Sequence, residues 1–139
     1  MRLEDLPRLE LADPGPARDE VVAAILAGRK TTTTGLVLEY ERAGSAFPAP
    51  GQQFVVIDSD RRPAALIEMT EVRQVPIAGI DLGHVLDDGD ESVGQWRAAH
   101  EEYWHSAETR EALGDPDFTV GDDTVVLAQR FRLVRALAG

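Results

Sequence analysis

Seven consecutive residues, Gly28-Arg29-Lys30-Thr31-Thr32-Thr33-Thr34, force a change of backbone state. Before them, Ala17 to Ala27 reads as a helix. Val21, Val22, Ile25 and Leu26 form its apolar stripe, and Asp19 and Glu20 lie in the first turn, where the helix dipole favours acids. Gly28 suits the C-terminal cap. Threonine is a poor helix former and a good strand former, so the run of four marks an abrupt helix-to-strand junction. The same junction sets one flexible cation beside several short hydroxyls. Such a group can bind an anion or a carbonyl, or activate a hydroxyl nucleophile. A solvated lysine ahead of a threonine-rich edge strand is the plainer alternative. In a regular strand Lys30 shares a face with Thr32 and Thr34; in a turn it converges with Thr33 instead. The sequence leaves both open.

Around this junction the chain reads as strands enclosing a helical excursion. Residues 1–16 form a lead-in broken by Pro7, Pro14 and Pro16. Thr32 to Leu38, Gln53 to Asp58, Ala64 to Val72 and a stretch within Asp123 to Arg135 are strand-like, with Ala65, Ile67 and Met69 on one face of the third. Pro48-Ala49-Pro50-Gly51 and Asp58-Ser59-Asp60-Arg61-Arg62-Pro63 are turns. Ile80 to Leu86 is a short helix candidate and Ser92 to Ala107 a longer one. Ser92 caps the latter, and Val93, Trp96, His100 and Tyr103 fall along one face. The acidic loop Asp87-Asp88-Gly89-Asp90-Glu91 separates the two. This order predicts an α+β domain: a small mixed β-barrel with helices on its outside.

Composition narrows the function. The 139 residues contain 14 basic and 25 acidic side chains, a net charge of −11, which opposes a broad phosphate-binding groove. A small ligand or a single nucleoside fits that charge better than a long duplex. There is no cysteine, hence no disulfide framework and no thiolate chemistry. No apolar run is long enough to span a bilayer, and Met1 to Leu6 is charged rather than apolar. Cytoplasmic residence is expected, with no membrane partner and no extended DNA duplex. His84, His100 and His105 have no metal-site spacing, and the acidic loop lacks the calcium template, so no metal and no cofactor is expected. Trp96, Tyr103 and Trp104 form an aromatic helix, read as packing or, alternatively, as a platform for a ring.

The chain resembles the ASCH domain family, a PUA-like group, and its larger bacterial branch. The features that carry this are Leu26-Ala27-Gly28-Arg29-Lys30-Thr31 with Thr33, then Leu36 and Tyr40, then Pro48-x-Pro50-Gly51 and a strand ending at Asp58. Ile67-x-x-Thr70-x-Val72, Gly89-Asp90-x-Ser92, Trp96-Arg97-x-x-His100 and Arg130-Phe131-Arg132-Leu133-Val134 follow in order. The resemblance implies a PUA-like fold, with the domain over 17–139, and a cleft for a nucleoside, nucleotide or RNA base. It implies, in one branch, an amidohydrolase that removes the acetyl group of N4-acetylcytidine. The catalytic set then maps onto Lys30 as proton acceptor, Thr33 as nucleophile and Asp88 as proton donor. Asp88 stands where larger relatives carry Glu, one methylene longer, and Gly35 stands near a family Arg. The alternative is a non-catalytic RNA- or nucleotide-binding module linked to translation or its regulation, or a ribonuclease. In that role Lys30, Thr31, Thr33, Asp88 and Trp96 contact the ligand.

Overall fold

Pro16 has no amide hydrogen to lose at a helix start, and it opens helix α1 (Pro16–Leu26) in the computed structural model, which describes residues 2–137. Ala27 caps the helix and Gly28, at φ +78°, turns the chain out of it in the left-handed conformation that glycine adopts freely. Five strands follow the order β1-β3-β4-β5-β2 in one sheet: β1 (Arg8–Leu9), β2 (Thr32–Leu36), β3 (Gln53–Ile57), β4 (Pro63–Pro76) and β5 (Val125–Ala136). β1 runs parallel to β3, pairing Arg8 with Val55, and β3 runs antiparallel to β4, pairing Val55 with Leu66. Helices α2 (Val37–Ala43), α3 (Leu82–Asp88), α4 (Val93–Trp104) and α5 (Ala107–Leu113) complete an α+β architecture.

The expected barrel is not formed: among the described residues the sheet is open. Its two edge strands supply too little backbone to close a ladder. β1 is two residues long, and β2 ends at Leu36, where α2 begins. The strand expected over Thr32–Leu38 therefore overruns by two residues. Leu38, Glu39, Glu41, Arg42 and Ala43 are good helix formers, and Gly44, at φ +65°, caps the helix they make. The helix expected over Ser92–Ala107 ends at Trp104, and a further helix, α5, follows it where the sequence reading placed none. Ser92 does cap α4, accepting the Gln95 amide at 3.1 Å, but Ser106 caps a second one by accepting the Thr109 amide at 3.2 Å.

The chain divides into two compact units, and β4 and β5 run through both. The first contains Met1–Thr31, Pro48–Glu71 and Arg130–Gly139. It holds α1, and Val55, Ile57 and Leu66 form an apolar cluster covered by Leu3, Leu6, Val134 and Leu137. The buried Arg18 ties the proline-rich lead-in to it, donating to the Ala12 carbonyl at 3.0 Å, to Glu10 at 3.3 Å and to the Asp58 carbonyl at 3.4 Å. Asp58 itself shapes the β3–β4 turn: its Oδ1 accepts the amides of Asp60 at 2.9 Å and Arg62 at 2.8 Å.

The second unit contains Thr32–Phe47 and Val72–Gln129. Its core joins Leu36, Val85, Trp96, Trp104, Leu113 and Val126 with Ile77, Ile80, Val120 and Ala128. The buried face of α4 runs Trp96–His100–Trp104, a spacing of four. The expected stripe through Val93 and Tyr103 is displaced: these side chains are exposed, Tyr103 by 49%. Trp104, not Tyr103, completes the buried arc.

Candidate functional site

Lys30 lies in the first unit and is buried, with 7% of its surface exposed. The Ala24 carbonyl receives both the Arg29 amide at 2.9 Å and the Lys30 amide at 3.2 Å, so the chain folds back over the helix end before it extends. Covering a lysine to this extent withdraws its four-carbon stem from water. The plainer reading, a solvated lysine, does not hold. Thr31 is half-buried, and its carbonyl accepts the Phe131 amide at 2.9 Å.

In the second unit, strand alternation divides the threonine run between two faces of β2. Thr32 and Thr34 both face α3. The Thr32 hydroxyl donates to the His84 carbonyl at 2.8 Å, and the Thr34 hydroxyl lies 2.8 Å from His84 Nε2. Thr33 shares the other face with Gly35. A Cβ at Gly35 would lie 3.2 Å from the Tyr40 ring and 3.8 Å from the Gln129 amide nitrogen. That face is thus bordered by a phenol and a carboxamide, and Gln129 hydrogen-bonds Tyr40. Burial raises the Tyr40 hydroxyl above its ordinary value, partly offset by that bond, and burial likewise raises the neighbouring Glu39.

Helix α3 brings the polar groups together. Asp81 caps it by accepting the His84 amide at 2.8 Å. His84 and Asp88 are four residues apart and so share a face. Asp88 is the last residue of α3, not a loop residue as the acidic run suggested; Gly89, at φ +100°, ends the helix after it. A carboxylate at a helix C-terminus is disfavoured by the dipole and needs a compensating donor. Trp96 supplies one: its Nε1–H donates to Asp88 Oδ2 at 2.9 Å, and the Asp88 side chain is 8% exposed. The Trp96 ring is enclosed by two imidazoles. His84 meets it edge-on with centroids 6.4 Å apart, and His100 stacks on it at 4.1 Å. His100 Nδ1–H donates to the Trp96 carbonyl at 2.8 Å, which turns Nε2 toward Asp88 Oδ2, 4.0 Å away.

The second unit thus carries a continuous polar series from Thr34 through His84 and past Trp96 to Asp88 and His100. Of the residues expected to act together, Asp88 and Trp96 are brought into contact. Thr33 is on the face of β2 opposite the one that meets α3. The Thr34–His84 separation is that of a hydroxyl and its base, and the Asp88 carboxylate can accept from an amine. Among the described residues no group of three or more potential ligands is arranged for a metal ion. An open groove of about 510 Å³ along α5, lined by Ala107, Arg110, Glu111, Gly114, Asp115 and Pro116, includes none of these side chains.

Residues 10–135 match the family model described as ASCH domain. The chain belongs to the ASCH domain family. This ASCH domain shares its fold with an Enterococcus faecalis V583 protein, EF3133, assigned to the family model DUF984. The TM-score is 0.78 at 20% identity, over 94% of this chain and 77% of that one. An ASCH domain from Lactobacillus crispatus JV V101 aligns with TM-score 0.76 and 22% identity, over 94% and 82%. A mutant ASCH protein from Zymomonas mobilis aligns with TM-score 0.53 and 13% identity, over 93% and 72%. At these identities the likeness is one of fold. Among curated proteins no sequence matches.

The sequence alone gives His84 and Gln129 no chemical role and leaves Thr34 only as one hydroxyl that could share a face with Lys30. The spacing of His84 and Asp88 on one short helix was the available signal. Its meaning depends on β2 and Trp96, which reach α3 only through the fold. No helix of the described residues is long and apolar enough to cross a membrane.

Proposed function

We propose that this ASCH domain recognises a single nucleoside or RNA base, with Asp88 as the polar acceptor for an exocyclic amine. The observation that carries the reading is the Asp88 carboxylate, withdrawn from water and oriented by the Trp96 indole at 2.9 Å. An acceptor fixed in this way is pre-organised, so a donor gains the bond without first ordering the side chain. The net charge of −11 favours a ligand with few phosphates over an extended strand. Lys30 enters the reading through the family motif. A second reading, hydrolysis of an N4-acetylcytidine-like amide with Lys30 as base and Thr33 as nucleophile, follows the same motif and draws on the burial of Lys30, which withdraws it from bulk solvent.

One experiment addresses both. Purified protein is titrated calorimetrically with cytidine and N4-acetylcytidine, and the second mixture is then chromatographed for released cytidine. Binding without product, weakened about tenfold in Asp88→Ala, supports recognition. Product that disappears in Lys30→Ala and Thr33→Ala supports hydrolysis. Neither heat nor product from either nucleoside removes both readings.

A further inference from the structure

On the face of β2 away from α3, a phenol is held in a fixed place with its proton directed away from the group that holds it. Gly35 makes the room: a Cβ there would lie 3.2 Å from the Tyr40 ring, so a side chain would crowd it. Phe47 meets the ring edge-on with centroids 5.4 Å apart and sets its plane. Gln129, 3% exposed, orients the hydroxyl. Its amide nitrogen donates to the Leu127 carbonyl at 3.5 Å, which decides which way round the carboxamide lies. The same nitrogen borders the Gly35 position together with the Tyr40 oxygen. The Gln129 bond favours the phenolate, as a donor to the phenol oxygen does. The Tyr40 oxygen therefore accepts from Gln129, and its own O–H points elsewhere.

We propose that Tyr40 and Thr33 form a binding subsite for a neutral carbonyl oxygen, that of an amide or a pyrimidine, with the Tyr40 hydroxyl as the donor. Thr33, half-buried two residues before Gly35, adds a second hydroxyl on the same face. A hydroxyl whose oxygen accepts a hydrogen bond is polarised by it and donates more strongly. Burial above all keeps the proton on Tyr40; the Gln129 bond opposes this, and the neighbouring Glu39 carboxylate adds to it. An anion suits the place poorly. Neither donor carries a charge, Glu39 repels a negative ligand, and the exposed Arg42, two positions along α2 from Tyr40, does not share its face. All of these groups lie in the second unit. Asp88 plays no part, since α3 meets the other face of β2, and the nucleoside readings enter only through the choice of probe.

The test uses the full chain labelled with carbon-13 at tyrosine Cζ, the ring carbon that bears the hydroxyl. The chain has two tyrosines, and Tyr103→Phe, at an exposed position, leaves Tyr40 as the single signal. On titration with N4-acetylcytidine the Tyr40 signal should move in a saturable way, and inorganic phosphate at the same concentrations should leave it fixed. Tyr40→Phe, which keeps the ring, should weaken calorimetric binding of N4-acetylcytidine about fivefold, the effect of one neutral hydrogen bond. A fixed Tyr40 signal, an equal movement with phosphate, or unchanged affinity in Tyr40→Phe overturns the proposal. Should Tyr40→Phe fail to fold, Gly35→Ala keeps the hydroxyl but crowds the ring that carries it, and unchanged affinity there overturns the proposal as well. A moving Tyr40 signal beside a fixed Trp96 indole N–H removes recognition at Asp88 and leaves this subsite standing; the reverse removes the subsite and leaves Asp88.

Discussion

Removing the indole N–H of Trp96 should cost more than the change in ring size. Trp96 is fully buried, and its donor meets a carboxylate whose side chain is only 8% exposed. A hydrogen bond to a charged group in such a place contributes about 1.5–3 kcal/mol. Trp96→Phe also removes part of a packed ring; since truncating an aromatic to alanine costs about 3–5 kcal/mol, keeping the phenyl limits the packing loss to roughly 1–2 kcal/mol. The single substitution should therefore destabilise by about 4 kcal/mol, near the middle of those summed ranges. Asp88→Ala should cost less, because it also relieves an unfavourable charge at the end of α3. A double-mutant cycle separates the pair from these single effects, and the expected coupling is about 2 kcal/mol. Urea unfolding followed by far-UV circular dichroism measures all four proteins without depending on tryptophan emission. Coupling below about 0.5 kcal/mol would mean that the indole does not hold the carboxylate, and the basis for recognition at Asp88 would be lost.

Two further outcomes follow from the faces of β2 and α2. Thr34→Val removes the contact with His84 Nε2 and should lower stability by about 1 kcal/mol, whereas Thr33→Val, on the other face, should stay within about 0.5 kcal/mol; thermal unfolding distinguishes them. Burial raises the Glu39 carboxyl above its ordinary 4.5, so the folded state holds the proton more tightly than the unfolded one. The stability this contributes is complete below pH 4.5 and is lost as pH rises through the raised value. Glu39→Gln should thus be the more stable protein at pH 7, with the difference shrinking on acidification; a constant difference across pH 4–7 contradicts this.

Much of the fold was legible because its signals are local. Gly28 marks the end of α1, Ser92 starts α4, and the alternation of Ala65, Ile67 and Met69 predicts a face of β4 that is fully buried. The errors have physical causes. Val37 and Leu38 continue a β-prone run, and only the helix formers behind them draw them into α2. Ser106 reads as one more polar helix residue, yet its hydroxyl serves as the cap of α5, which begins where the expected helix was to end. Closure of a barrel depends on edge-strand length, which periodicity does not report. The site was legible in part. The Lys30 motif and the acidic residue near Gly89 were visible as family features. The partnership of Asp88 with Trp96 joins two helices, and the separation of Thr33 from Thr34 depends on which face of β2 meets α3. Neither is written in local spacing.

The most direct measurement is the indole N–H region of an amide correlation spectrum during addition of cytidine. The chain has two tryptophans, so two cross-peaks are expected, and Trp96→Phe assigns them. Because the Trp96 N–H donates to Asp88, a base that engages this carboxylate must perturb that peak. The Trp96 peak should shift in a saturable way, the Trp104 peak should move much less, and raised salt should leave the titration unchanged. A Trp96 peak that stays fixed at saturating nucleoside would contradict it.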